Sequence, residues 1–404
     1  MADKDDALPA EQRFATKLTQ LGRPGARVHG FVNPPLVRGS TVLHPDLAHR
    51  SSEGARRYEQ AMVYGTHGTP THFALENAIA EIEGGSRCQI VSSGLAAITT
   101  PLLAFLKTGQ HLLVPDSVYG PTRRFCDGML AALGIVTTYY DPLITAADLA
   151  DLFRPETTVL FLESPGSHTF EVQDVPALAA LAHDKGAVVM LDNTWGIHFF
   201  QPFRHGVDVS IQAATKYIGG HSDIILGAVT VATEENWRRL RDAATALGQY
   251  ASPDDCWLAL RGIRTLGVRL RHQMEQGLHM ARWLEARPEI AQVLHPALPG
   301  APGHDFWKRD FSGASSLFGV VLRPEFGEDA VSAMIDGMTL FGIGASWGGY
   351  ESLILPTSGT IQRSAGTGAF GGEIMRLHIG LEDLADIKAD LERGFARLHE
   401  VSGV

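Results

Sequence analysis

From residue 71 onward the apolar positions switch repeatedly between two periods. Residues 73–82 carry them at helical spacing, and Gly84-Gly85 ends that run. The β-rich stretch 89–91 leads through Ser92-Ser93-Gly94 into a helix beginning near Leu95. Further short apolar strands are expected at 111–114, 135–140, 159–162 and 187–191, separated by helices at 122–133, 146–153 and 175–183. Apolar strands alternating with helices predict a mainly parallel sheet covered on both faces, which 207–211 and 227–231 extend. A long helical stretch, 253–285, connects to a second region with strands at 317–322, 354–355 and 375–379 and helices at 329–338 and 383–399. The expected fold class is α/β, with a large domain over 61–260 and a smaller C-terminal α+β domain over 261–404. Residues 1–60 read as an arm, because Arg23-Pro24-Gly25, Asn33-Pro34-Pro35 and His44-Pro45-Asp46 break up any regular element. Such an arm lies on a partner subunit or on its own domain.

Composition narrows the class. The chain has 404 residues, 45% hydrophobic and 20% charged, which is typical of a globular protein. The balance of 45 acidic against 34 basic side chains, a net charge of −11, argues against a nucleic-acid scaffold. The best apolar run, 94–106, is broken by Thr99, Thr100 and Pro101 and falls short of the roughly 18–20 residues a membrane span needs. Cys88, Cys126 and Cys256 are few and far apart, with no C-x-x-C pair, as expected in a reducing cytosol and not in a disulfide scaffold or a cysteine-based zinc site. The N-terminus is acidic where a signal peptide is basic, so the expected location is cytoplasmic.

Two motif matches lack the context their chemistry requires. Gly366-Thr-Gly368-Ala-Phe-Gly371 fits G-x-G-x-x-G, but a polar loop precedes it and a strand follows, where dinucleotide binding needs strand, turn and helix. Gly344-Ala-Ser346-Trp-Gly348 fits the nucleophile elbow G-x-S-x-G, yet Gly348-Gly349 and a β-rich segment follow the serine instead of a helix. Glu351 and His378 keep the triad order, so a serine hydrolase using Ser346 stands as the alternative of a different class. The 17 histidines form no H-E-x-x-H or Cys/His cluster, and no metal is expected.

Asp192 and Lys216 carry more information. Asp192 ends the apolar strand and so stands at the carboxyl edge of a parallel sheet, where open α/β sheets bind ligands. Lys216 follows 207–211 within Gln212-Ala-Ala-Thr-Lys216-Tyr217, free of other charges; alone it reads equally as a structural lysine at a strand end. A pyridoxal phosphate site combines a Schiff-base lysine with an acid that keeps the pyridine nitrogen protonated. It adds a phosphate cradle at a helix N-terminus and an aromatic side chain over the ring. Ser93-Gly94-Leu95 offers backbone N–H groups, Thr215 a hydroxyl, and Tyr119 an aromatic ring just after a strand.

Six blocks in this order make the resemblance specific: Val91-Ser-Ser-Gly-Leu-Ala-Ala97, Leu162-Glu-Ser-Pro-Gly-Ser167, Leu191-Asp-Asn-Thr-Trp195, Ser210-Ile-Gln-Ala-Ala-Thr-Lys216, Ser346-Trp-Gly-Gly-Tyr-Glu-Ser352 and Arg376-Leu-His-Ile-Gly-Leu-Glu-Asp383. On them the chain resembles the fold-type I pyridoxal phosphate-dependent enzymes of cysteine and methionine metabolism, from about Gly22 to its C-terminal helix. The resemblance implies a transferase-like fold in which 61–260 binds pyridoxal 5'-phosphate. It implies that Lys216 holds the cofactor and moves the substrate Cα proton, and that Asp192 maintains the pyridinium. Gly94, Leu95 and Thr215 would hold the phosphate and Tyr119 would stack on the ring. Arg376 would pair with the substrate α-carboxylate, which its fork fits bidentately, with Ser346 and Trp347 beside the substrate. Tyr64 matches a tyrosine that this family donates from a neighbouring subunit, so a homotetramer built from dimers sharing active sites is expected.

Two positions bear on the reaction. Gly166-Ser167 stands where γ-acting members carry an Asn-Pro-like continuation, and Trp347 where they carry leucine. Both favour β-elimination: a carbon–sulfur lyase of transsulfuration and methionine biosynthesis, releasing homocysteine, pyruvate and ammonia from cystathionine. Cystine and other S-substituted cysteines are related substrates, and a γ-acting enzyme on the same fold is the rival. The chain departs from the family at Thr66, where an arginine usually clamps the phosphate across the subunit boundary, with His67 beside it. It departs again at Ala345, where β-acting members carry tyrosine and γ-acting ones glutamate.

Overall fold

The computed structural model describes residues 12–23, 30–366 and 370–403. The acidic N-terminal stretch, Pro24-Gly25 and the centre of the 366–371 glycine motif lie outside the described residues. Seven strands form the first sheet: β1 (Arg87–Val91), β2 (His111–Pro115), β3 (Val136–Tyr140), β4 (Thr157–Glu163), β5 (Val188–Asp192), β6 (Val209–Gln212) and β7 (Gly227–Val231). Their order is β1-β7-β6-β5-β4-β2-β3. From β3 to β6 the neighbours run parallel, joined by helical crossovers, and β2 is buried at every position, as a strand covered on both faces must be.

Not every strand extends the parallel pattern. β7 runs antiparallel to both β6 and β1. The connection from β6 to β7 consists of turns and contains no crossover helix, so the chain returns in the opposite sense.

The second sheet contains β8 (Ile290–Leu294), β9 (Leu317–Leu322), β10 (Gly342–Ile343), β11 (Leu353–Pro356) and β12 (Ile374–His378), in the order β10-β11-β12-β9-β8. Helices Glu328–Asp336 and Leu384–Ser402 cover it, enclosing Phe318, Met334, Leu377, Leu391 and Phe395. The helix Pro253–Glu285 links the two cores: Leu260, Ile263 and Leu266 belong to the first, Met280, Ala281 and Leu284 to the second. Ser252 caps it by accepting the Asp254 N–H at 3.2 Å, and Pro253 occupies the first turn, where its missing N–H costs nothing. The expected domain boundary at 260/261 falls inside this helix.

Several elements were not anticipated. Glu234–Ala246 is a helix capped by Thr233, and it buries Trp237, Leu240, Arg241 and Ala244 at spacings of one face. Its two leading glutamates and four arginine or aspartate side chains lower its mean hydropathy and mask that stripe. β8, β10 and the short helix His304–Asp310 were likewise unread. The expected helix 122–133 is present as a continuous helical run from Gly120 through residue 132, which widens into a π-type segment over Cys126–Leu130. Within the arm, helices Phe14–Gln20 and Leu47–Glu53 form where no regular element was expected. Leu18 is buried against the long helix, and Arg264 donates to its carbonyl at 3.0 Å, so this part packs on its own chain.

Gly262 lets the long helix touch the turn after Lys216. A Cβ there would lie 2.2 Å from the Ile218 carbonyl oxygen and 2.4 Å from that of Gly219. Gly262→Ala is expected to lower stability by about 1–3 kcal/mol through overpacking. Gly128→Ala, at a position with nothing within 4 Å, is the neutral control. Denaturant midpoints of the two variants check this; equal midpoints would refute the contact.

Candidate active site

β4, β5 and β6 end together, and their register sets Glu163 beside Asp192 and Asp192 beside Ile211. Asp192 Oδ1 accepts the Thr194 N–H at 3.0 Å and the Thr194 hydroxyl at 2.6 Å. The same hydroxyl oxygen accepts the Ala213 N–H at 2.9 Å, which ties the carboxylate to the turn bearing Lys216. That turn closes through Lys216 N–H on Ala213 and Gly220 N–H on Lys216. Lys216 Nζ donates to Ser346 Oγ at 2.8 Å and lies 5.2 Å from the Trp347 ring centre. The 346–349 segment approaches this closely because of Gly348, whose φ is +87° and whose Cβ would stand 3.1 Å from Lys216 Cα.

A cavity of about 220 Å³ opens over this edge. Gly94, Leu95, Tyr119, Asp192, Thr215, Lys216, Trp347 and Arg376 all line it. Gly94 and Leu95 begin the helix Gly94–Phe105, whose first N–H groups have no intrahelical acceptor. A Cβ on Gly94 would meet the Ala213 Cβ at 2.6 Å, so the helix start is seated directly on the lysine turn. Arg376, on β12, uses Nη2 on the carbonyls of Gly344, Ala345 and Ser346, at 3.1–3.2 Å. Its remaining N–H groups have no partner among the described residues.

Other expected residues are placed differently. Tyr64 is 48% exposed and is not part of this cavity wall. Ser346 touches the lysine but does not line the cavity. The Thr215 hydroxyl donates to the Leu226 carbonyl at 3.1 Å and accepts its N–H at 2.9 Å, so its proton is already engaged. Glu163, Thr194 and His168 also line the cavity, and residue-by-residue reading assigned them nothing. Glu163 was findable, since it ends a buried strand exactly as Asp192 does; Oε2 accepts the Tyr119 N–H at 2.8 Å and fixes that residue.

Burial governs the protonation of these groups. Desolvation pulls the Lys216 ammonium down to about 8; Arg376 adds repulsion and Asp192 opposes it. Burial pushes Asp192 above the usual carboxylate range against the Thr194 hydrogen bonds and Lys216, and pushes Glu163 up as well, with Asp192 adding like-charge repulsion. Burial raises the Tyr119 phenol, reinforced by Asp192 and Glu163.

Residues 15–396 match the family described as Cys/Met metabolism PLP-dependent enzyme. The chain belongs to that family. Among relatives, a Rhizobium johnstonii protein with the provisional name cystathionine β-lyase is 49% identical over 98% of this chain and 99% of its own. The cystathionine β-lyase of Escherichia coli is 42% identical, over 96% of this chain and all of that one. A solved cystathionine γ-synthase from Xanthomonas oryzae is 30% identical with a TM-score of 0.88, covering 97% of this chain and 100% of that one. The fold is thus fold-type I, and the enzyme is pyridoxal phosphate-dependent.

The donor set suits that cofactor. A buried amine, a carboxylate at the sheet edge and the first N–H groups of a helix face one cavity. The hydrolase alternative fails on geometry. The His378 Nε2 accepts the Gly348 N–H at 3.1 Å, its Nδ1 faces Ser316 at 3.2 Å, and no helix follows Ser346. The glycine motif near 366–371 precedes β12, so its described part opens no helix either.

Beneath Asp192, a buried acid stitches the strand ends together. Glu83 accepts from Asn193 Nδ2 at 3.2 Å, Gln212 Nε2 at 2.8 Å and the Ser210 hydroxyl. Burial lifts its carboxyl from 4.5 to about 8. A raised folded-state value means the native chain holds this proton more tightly, so the group's contribution is complete below pH 4.5 and lost as pH rises through about 8. Glu83→Gln is expected to flatten the decline in thermal midpoint between those pH values; an unchanged slope would show that Glu83 does not titrate in that window.

Proposed function

We propose that this family member catalyses β-elimination of cystathionine, releasing homocysteine, pyruvate and ammonia, with other S-substituted cysteines as secondary substrates. The observation that carries the reading is the convergence of Lys216, Asp192 and Arg376 on one cavity walled by Trp347 and Ala345. Identities of 42–49% to proteins named as β-lyases, against 30% to the γ-synthase, support β over γ chemistry.

When bound, the cofactor supplies a cationic ring that accepts the electron pair left by breaking the Cα–H bond. Arg376 holds the substrate α-carboxylate with the N–H groups its carbonyl partners leave free. Lys216, with its ammonium value near 8, has an appreciable neutral fraction at neutral pH and takes the Cα proton at Nζ. In its protonated state it returns a proton to the departing thiolate. Asp192 would keep the pyridine nitrogen protonated, Tyr119 would cover the ring, and the Gly94 and Leu95 N–H groups would hold the phosphate with Thr215 alongside.

Tyr64 reaches the site of a second subunit in this reading, within a homotetramer of dimers. Its exposure supports this, as do Phe31, Leu43 and Leu47, apolar arm residues at least 75% exposed. The three cysteines are free and buried, which supports a cytoplasmic setting in transsulfuration and methionine biosynthesis.

Borohydride treatment is expected to fix the cofactor to Lys216, and Lys216→Ala to lose both this label and about 10²–10⁴ of turnover. Asp192→Asn is expected to stay folded with turnover reduced about 10²-fold or more, because only the ring's electronics change. Near-normal rates in either variant would remove that residue from its role. Products from cystathionine test the reaction: 2-oxobutyrate and cysteine in place of pyruvate and homocysteine would assign it to the γ-acting group.

A further inference from the structure

Among the described residues His168 is the one imidazole in the cavity wall, and its placement is enforced from several sides. Its φ is +66°, a left-handed conformation that costs a non-glycine residue energy unless its surroundings hold it. On one side the Ser167 N–H donates to the Ser117 carbonyl at 2.8 Å. On the other, Thr169 receives a hydrogen bond from Arg363 at 2.6 Å. The His168 carbonyl oxygen rests on β9, where a Cβ on Gly319 would come within 2.9 Å of it.

The ring so positioned has nothing to bond to. Neither nitrogen has a hydrogen-bond partner among the described residues; Nδ1 is enclosed, and Nε2 is not. Burial, with Arg376 and Arg363 adding repulsion, lowers the imidazole to about 4, so the ring is neutral at physiological pH and carries one N–H donor. Arg376 and Arg363 add positive charge beside the ring, the latter paired with Glu171 at 3.0 Å, and this favours an anionic group over an ammonium there. Ala345 lines the same cavity and contributes only a methyl group to its wall.

We propose that His168 is a specificity-determining residue that donates a hydrogen bond to a carboxylate at the distal end of the sulfur substituent. This rests on the β-elimination reading above. The α-carboxylate of every substrate engages Arg376; His168 distinguishes substrates by what lies beyond sulfur. A substrate ending in a plain alkyl group leaves the histidine unpaired, and one ending in a carboxylate satisfies it.

The test compares wild type, His168→Leu and His168→Gln holoenzymes on L-cystathionine, S-(3-carboxypropyl)-L-cysteine, S-(3-aminopropyl)-L-cysteine and S-propyl-L-cysteine, following pyruvate. His168→Leu is expected to raise KM about tenfold for the two carboxylate-ended substrates, the effect of losing one hydrogen bond to a charged group. Their kcat should change little, and the aminopropyl and propyl compounds should be unaffected. His168→Gln, which keeps a donor, is expected to recover most of the loss. Equal losses on all four substrates would reduce His168 to a structural role, and unchanged KM values, or an effect confined to the aminopropyl compound, would overturn the proposal. Pyruvate from propylcysteine with no carboxylate preference in wild type would overturn this inference and leave the lyase reading standing. No pyruvate from any of the four would overturn both.

Discussion

Glu163, Asp192 and Ile211 stand abreast at the carboxyl ends of three parallel strands, and that register fixes the geometry of the whole site. A slip of one residue in β5 would turn Asp192 to the opposite face of the sheet and break its link through Thr194 to the lysine turn. The structure guards the register from below with Glu83, which holds Ser210, Asn193 and Gln212 at once. Gly348 and Gly262 allow two other segments to close on the Lys216 turn. The turn that carries Lys216 is therefore placed by backbone packing.

The electrostatics follow from that enclosure. Each ionisable group around the cavity is shifted first by burial, and each shift favours the neutral form: Lys216 falls, Asp192, Glu163 and Tyr119 rise. An amine that loses its proton more readily serves as a base, and carboxylates that resist ionising gain most from a cation placed beside them. The global charge of −11 has no bearing here, because helix N–H groups and Arg376 act within a few ångströms. An acidic protein thus presents, at this cavity, local donors of the kind anionic groups require.

Much of this was legible in the residues. The alternation of short apolar strands with helices gave the parallel sheet, and an aspartate ending such a strand pointed to the ligand edge. The reversed sense of β7 was not legible, because an apolar run such as Gly227–Val231 looks the same in either direction. The helix Glu234–Ala246 was hidden by its charged face, and the Phe14–Gln20 helix by neighbouring prolines and glycines. Thr194 and His168 stood in plain sight without a signal, since a threonine or histidine declares a role only when its partners, or their absence, are known.

Periodicity and residue type are local properties, and from them alone followed the class of fold, the order of its strands along the chain and a short set of candidate residues for the site. The sequence could not say that residues 163, 192, 216 and 376 meet around one cavity, because their separation along the chain is spanned only by sheet register and the pairing of two cores on one helix. Only the folded chain shows that the Thr215 hydroxyl is engaged, that the His378 nitrogens are taken up by Gly348 and Ser316, and that Tyr64 lies outside the cavity wall. Each of these depends on direction in space, which a linear pattern does not encode.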